Sequence, residues 1–378
     1  MSNDYYVTLT GGKKNIGDFL ITKRCELLLA ELRPDRELKK LKSWLNLEEH
    51  LELINKSKGL IIFGGPGYQQ GMYPKVYKFT QQLSDIQVPI IPMGLGWKGI
   101  TGDYQTLQNY KFTQSSLRLL SKIEKTSVLS CRDYYTQNVL VMNGLSKVKM
   151  TGCPVWYDLP SLNKEMERPQ EVKKVVYTPA QSTLFTQQSV EIMKVLKVRF
   201  PKAEIYCSFH RGISEKDEFT KNWEVINTTY LAQQAETLGL IPIDTSFDLE
   251  KINFYKNCDL HVGYRVHGHI YFLSKRKPSI LLHEDGRGRG VSEALNLHGI
   301  DAYKRTAIGQ IAAGSGVKWF ERVTNKVFGK IKANREAPSI LNHLLQNDLA
   351  NQFVRYVGVS KVIDQNFEVM KSFLQTLP

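Results

Sequence analysis

The sequence has no apolar run near the ~18 residues that a membrane-spanning helix needs. Its first residues, Met1–Asp4, pass into a predicted strand without a signal-peptide pattern, so a cytoplasmic protein is expected. Cysteine is scarce: Cys25, Cys131, Cys153, Cys207 and Cys258 make an odd five, with no Cys-x-x-Cys pair. That argues against a disulfide framework and a structural zinc site, and makes the cysteines small buried hydrophobes. There is no recognition-helix pattern, no RNP-type aromatic stripe and no Cys/His finger, so no nucleic-acid partner is expected. The first glycine loop lacks the nucleotide-loop signatures too. In Gly11–Asp18 a lysine precedes Gly17, no Gly-Lys-Ser/Thr follows, and the loop is not Gly-x-Gly-x-x-Gly.

What is present is an ordinary globular composition, 42% hydrophobic and 23% charged over 378 residues, long for one core and comfortable for two. The formal charge is +14. With nucleic acid set aside, an anionic membrane surface or an acidic small-molecule substrate remains to answer that charge.

The first half repeats one unit, a strand that ends in a glycine-rich loop and leads to a helical segment. Tyr5–Thr10 is predicted as a strand, followed by a helix with the apolar stripe Phe19, Leu20, Cys25, Leu28, Leu29 and Leu32. A helical segment is predicted over Leu38–Lys58. Further strands are predicted at Leu60–Phe63, Val88–Pro92, Ser127–Ser130 and Val148–Met150, each running into a turn sequence such as Gly64-Gly65-Pro66-Gly67 or Gly94-Leu95-Gly96. Such a series means a parallel sheet with a loop-built crevice at the carboxyl ends of its strands. The expected division is an N-terminal Rossmann-like domain over 1–158, a linker over 159–174 and a second Rossmann-like domain over 175–310. Helices over 311–378 follow, with packing back onto the first domain as one option.

In the second domain the stretch Asp259–Gly290 carries the densest chemistry. It reads as strand, turn, helix, strand, loop, which puts Arg265 at the carboxyl end of a strand and His267 in the first turn of the next helix. A guanidinium and an imidazole at such a point suit a small, multiply charged anion. On these residues alone, an ion pair holding the turn beside a packed core histidine fits equally well. His267 and His269 would share a face on a strand but diverge on a helix. No metal is therefore expected, with His269, His283 and Asp285 the candidate ligands should one bind. Farther on, Val317–Glu336 alternates Trp319, Phe320, Val323, Val327, Phe328 and Ile331 with basic residues. That pattern fits a helix resting on an anionic membrane surface, and also one packed on its own domain.

Taken as an ordered set, Asn15-x-Gly17-Asp18, Gly64-Gly65-x-Gly67, Gly94-x-Gly96, Ser130-x-Arg132-Asp133-x-x-Thr136 and Arg265-x-His267 with Asp285-x-Arg287 resemble the polysaccharide pyruvyl transferase family. The likeness runs from Asn15 to Gly299. It implies an α/β fold of two Rossmann-like domains facing a cleft, similar to GT-B glycosyltransferases, with C-terminal helices. The activity it implies is transfer of a pyruvyl group from phosphoenolpyruvate to a saccharide as a ketal, in cell-surface glycan biosynthesis. A lipid-linked acceptor, and so a peripheral place at the inner membrane face, is a further option. Arg265 and His267 match the family's donor-binding Arg-x-His, and Arg132 its Ser-x-Arg-Asp arginine. Arg287, Gly17 and Gly65 complete the expected donor site. Asn15 and Asp18 are expected at the acceptor, and His267 and Asp18 as the catalytic pair. Departures from the family's pattern are Cys153 where an Asp is common, Pro66 inside the glycine triplet, and Arg287 where a Lys is frequent.

The chemistry suits the residues. Phosphoenolpyruvate carries a phosphate and a carboxylate close together, which planar guanidiniums bind bidentately. Ketal formation needs a proton delivered to the methylene carbon and hydroxyls that lose theirs, and a histidine with a pKa near neutral serves either step. No cofactor is required. Two other classes share the expected fold: a glycosyltransferase using a sugar nucleotide, and a non-catalytic binding protein.

Overall fold

The most apolar runs of the chain, such as Gly59–Phe63 and Ser279–His283, are buried along their whole length, the mark of strands covered on both faces of a parallel sheet. The computed structural model describes residues 4–214, 217–307 and 331–378. Its elements run β1 Tyr5–Thr10, α1 Ile16–Leu32, β2 Glu37–Lys42, α2 Leu51–Asn55, β3 Gly59–Phe63, β4 Ile90–Met93, α3 Tyr104–Gln108, α4 Gln114–Thr126, β5 Leu129–Cys131, α5 Tyr134–Val141 and β6 Val148–Met150. Strands β2-β1-β3-β4 form one parallel sheet in that order; β5 and β6 pair with each other in parallel, and a bridge from Leu95 to Cys131 links them to the chain leaving β4.

A second set of elements builds the other half: β7 Lys174–Thr178, α6 Thr186–Arg199, β8 Glu204–Phe209, α7 Asn222–Thr237, β9 Ile241–Asp244, β10 Leu260–Gly263, α8 Val266–Ser274, β11 Ser279–His283, α9 Gly286–Ala294 and β12 Ile300–Asp301. Its six strands lie in the order β12-β11-β10-β7-β8-β9, all parallel. These are two Rossmann-like halves, as the alternating strand and helix rhythm predicts. The chain continues as β13 Tyr303–Arg305, β14 Ile331–Ala333, α10 Ala337–Ala350 and α11 Val359–Gln375. Helix α10 packs on α6, and α11 packs on α1 and α8. Tyr6 Oη donates to the Pro378 carbonyl at 2.6 Å, which ties the chain's last residue to the first sheet.

Three sequence expectations need correction. The helix predicted from Leu38 is an edge strand as far as Lys42, paired with β1 from Tyr5–Glu37 to Thr10–Lys42. Leu38 and Leu41, three apart, fit a helix stripe, but the segment is a lysine-rich sheet edge, with Lys40 exposed and Lys39 over the Tyr5 ring, a composition that blocks further pairing. Strand β5 starts at Leu129, because Ser127 still caps α4 through its N–H on Ile123 O at 2.8 Å. The expected all-helical end contains a small antiparallel ribbon, since Tyr303–Arg305 pairs with Ile331–Ala333. The predicted helix over Val317–Glu336 therefore does not hold for its last third, and its residues 317–330 lie outside the described residues. Among the described residues, no helix is long and apolar enough to cross a membrane.

The halves are joined by more than the covalent chain. Ile16 N–H donates to His210 O at 3.0 Å, and Phe247 N–H to Lys14 O at 2.9 Å. The Lys14 ammonium, 1% exposed, reaches Asp217 at 2.5 Å and Thr220 Oγ1 at 2.6 Å. Arg24 of α1 and Lys275 both pair with the buried Asp158. Arg305 pairs with Asp103 at 2.6 Å.

Candidate functional site

The carboxyl ends of both sheets meet at the first turn of α8. Strand β10 ends at Gly263, Tyr264 turns inward to donate to Gln188 Oε1 at 2.7 Å, and Arg265 caps the helix from extended backbone. His267 follows within the first turn. Helix α1 of the first half lies directly over it: a Cβ built on Gly17 would stand 2.6 Å from His267 Nδ1. Only glycine admits that approach.

Around this imidazole the structure gathers the residues that the sequence singles out. Arg132, 1% exposed, leaves β5 with its N–H on Leu95 O at 2.8 Å, and its Nε donates to Asp133 at 3.1 Å. Asp133 is fixed in turn by accepting from Thr136 N and Oγ1, both at 2.8 Å. The guanidinium lies against the bare Cα of Gly96, where a methyl group would overlap it. Gly65 stands one step behind: its carbonyl accepts from Gly96 N–H at 2.8 Å, and its φ of +75° suits glycine. Arg287, on the first turn of α9, pairs with Asp285 at 2.7 Å, and Asp285 also caps that helix through Arg287 N–H at 3.0 Å. Arg265 donates to Gln181 Oε1 at 2.5 Å. Asn15 caps α1, and its side chain bonds Asp18 in the helix's first turn.

The charges are coupled. Burial, with Arg132 and Arg287 adding to it, pushes the His267 pKa down to about 3, so the imidazole is neutral at pH 7. This corrects the sequence expectation of a histidine titrating near neutrality. Burial pushes Asp18 up to about 6, against the opposing pull of Asn15, Arg287, Arg211 and Arg265. Burial works against the charges on Arg287 and Asp285, and their mutual pairing outweighs it. Burial lowers Arg265, with Glu284 opposing. Both His267 and Asp18 remain half-buried instead of sealed.

Three side-chain atoms here are buried without a hydrogen-bond partner: Arg132 Nη2, Arg265 Nε and His267 Nε2. They come from both halves. A desolvated donor left unmade costs ~1–3 kcal/mol, more when charged, and a ligand that supplies acceptors recovers it. The candidate metal ligands lie otherwise. His269 Nδ1 bonds Ser279 Oγ at 2.7 Å inside the core, and His283 bonds Asp301 at 3.0 Å and Ser292 at 2.8 Å. Among the described residues, no three metal-type side chains cluster.

Sequence reasoning missed Arg211, Glu284 and Gln181. Arg211 follows β8 and its charge reaches both Asp18 and Arg265. Glu284 follows β11, accepts from Ser182 N–H at 3.3 Å, and faces Arg265 and Arg287. Both occupy the carboxyl end of a parallel strand, which is the signal that could have found them.

The sequence profile of the polysaccharide pyruvyl transferase family matches residues 15–285. No protein of curated function matches the chain. Among solved structures it is similar to a Staphylococcus aureus MnaA–UDP co-structure, with a TM-score of 0.47 and 13% identity over 95% of this chain and 94% of that one. The UDP-GlcNAc 2-epimerase of Neisseria meningitidis bound to UDP-GlcNAc scores 0.48 at 10% identity, covering 96% and 99%. A UDP-N-acetylglucosamine 2-epimerase-type structure from Listeria monocytogenes scores 0.49 at 9%, covering 98% and 96%.

Proposed function

Because the chain belongs to the polysaccharide pyruvyl transferase family, we propose that its cleft binds phosphoenolpyruvate and transfers the pyruvyl group to two hydroxyls of a saccharide, forming a ketal. The setting that goes with this reading is cell-surface glycan assembly from the cytoplasm. The observation that carries it is the trio of partnerless buried atoms, Arg132 Nη2, Arg265 Nε and His267 Nε2, beside Arg287. A compact ligand with a phosphate and a carboxylate supplies acceptors to several guanidiniums at once.

In this reading the donor's anionic groups compensate Arg132 and Arg287, two of the causes that hold the His267 pKa down. The imidazole then takes up a proton as the donor binds. It delivers that proton to the methylene carbon, making the methyl group and a cationic C2. One acceptor hydroxyl attacks C2 and gives its proton to the Asp18 carboxylate. The C2–O bond to phosphate breaks, the arginines stabilise the departing phosphate, and the second hydroxyl closes the ketal. Of the two hydroxyl protons, one replaces the proton now in the methyl group and the other leaves with the phosphate. Glu284 and Asp285 keep the guanidiniums aimed.

A thermal-shift screen tests this. Phosphoenolpyruvate at ~100 times its dissociation constant should add about 2.7 kcal/mol of stability. A shift with nucleotide sugars and none with phosphoenolpyruvate would replace this reading with a glycosyltransferase.

A further inference from the structure

The loop between β1 and α1, just ahead of Asp18, and the end of β2 carry charges that the proposed donor site does not use. The loop after β1 and the loop after β2 run side by side, with Ser43 N–H on Thr10 O at 3.0 Å. Lys13 Nζ, on the first loop, sits 4.3 Å from the centroid of the Trp44 ring on the second, and 5.4 Å from that of Phe219. Lys42 Nζ lies 5.7 Å from the same Trp44 ring. Phe219 belongs to the other half of the molecule. Its N–H is held by Asp217 at 2.7 Å, and its carbonyl accepts from Arg211 at 3.0 Å. Arg211, which holds Phe219, is also one of the guanidiniums whose charge acts on Asp18.

The two ammoniums differ from Lys14 and Lys40, though Lys39 likewise lies over a ring, that of Tyr5, at 3.7 Å. Lys14 is buried on Asp217, and Lys40 pairs with Glu26 at 2.6 Å. Lys13 and Lys42 rest on an indole and have no carboxylate in ion-pair reach among the described residues. Protection of the β2 edge accounts for lysines on that strand. It does not account for Lys13, which lies off the strand on a loop, between rings from both halves.

We propose that Lys13, Lys42, Trp44 and Phe219 form the outer acceptor subsite, built for a saccharide bearing an anionic group, phosphate or carboxylate, near the hydroxyls presented to Asp18. The indole offers an apolar face to the C–H face of a pyranose, and the ammoniums take the anion. This rests on the acceptor side lying at Asp18, as in the function proposed above.

The test measures binding of paired ligands to the full chain saturated with phosphoenolpyruvate, by calorimetry. Methyl glycosides of glucose, galactose and mannose are compared with the matching hexose 1-phosphates and with the uronic acids. At least one pair should favour the anionic sugar by roughly tenfold. In the Lys13→Gln/Lys42→Gln variant that preference should shrink to about twofold, with the phosphoenolpyruvate thermal shift unchanged. Trp44→Ala should weaken both members of the pair alike. Phosphate preference without uronate preference assigns the subsite to phosphate, and the converse to carboxylate. No preference in any pair, or one that survives the double variant, overturns the proposal. Failure of phosphoenolpyruvate to shift the wild-type protein is a separate result and overturns the donor reading instead.

Discussion

The two halves of the molecule contribute opposite things to one cleft. The first sheet supplies room: Gly17 leaves space for His267, Gly96 for Arg132, and Gly65 turns the backbone that holds Gly96. The second sheet supplies charge: Arg211, Arg265 and Arg287 all stand beyond the carboxyl ends of its strands or on the helices that follow. Arg132 and Asp18 are the exceptions, charged groups on the roomy side. The difference teaches that backbone from one half can help bury a side chain on the other. Burial is the largest cause of the depressed His267 pKa, and helix α1 lies against that imidazole.

The comparison can be broken most severely on the charged side. His267→Gln should lower turnover by roughly 10²–10⁴ while leaving donor affinity nearly intact, because a proton donor acts in the transition state. Wild-type turnover in that variant would remove His267 from the chemistry. Arg265→Ala should next raise the donor KM by roughly 10² with a smaller change in kcat, since a charge anchor serves ground and transition states alike.

On the roomy side the two glycines should separate. Gly17→Ala must displace the imidazole 2.6 Å away, and misplacement on that scale costs up to about 10² in rate. Gly65→Ala meets nothing within 4 Å, so its strained φ should cost about 1 kcal/mol of stability and little turnover. Equal kinetic losses for the two would refute the steric account.

The acid limb of kcat/KM sharpens the comparison further. Asp18, raised to about 6, should give a limb near pH 6 that Asp18→Asn abolishes and His267→Gln keeps. The stability sign is fixed by the same shift. A carboxyl whose folded pKa is raised favours the folded state below the unfolded value of 3.8, and loses that contribution as pH rises through about 6. His267 acts in reverse: its pKa is depressed to about 3, so its contribution is present above 6.5 and lost as pH falls toward 3. The smallest expected effect is that of exhaustive chelation. Turnover should be unchanged, and loss restored by one divalent ion would promote His269, His283 and Asp285.

The parallel sheets and the strand–turn–helix around Arg265 were legible because apolar runs and short-range order carry them. Arg132 was legible through its neighbours, Ser130 and Asp133. Arg211 was not, because His210-Arg211 has no local pattern and acquires its role only when β8 stands beside β7. The edge strand β2 was hidden because lysine-rich edges imitate helices. The His267 pKa depends on burial and on Arg132 and Arg287, which only the folded chain brings near.

The buried Lys14 ammonium has a consequence for how the protein comes apart. It belongs to the first half, yet its partners Asp217 and Thr220 belong to the second, and the peptide groups on either side, Ile16 N–H and Lys14 O, bond across the same boundary. Separating the halves would break that ion pair and both backbone bonds at the boundary itself. The two sheets should therefore form one cooperative unit, melting in a single calorimetric transition whose van't Hoff and measured enthalpies agree. Lys14→Met, which removes the cation with its cost of burial, should keep that single transition, and Asp217→Ala, which removes the carboxylate paired with a buried cation, should lower its midpoint by more.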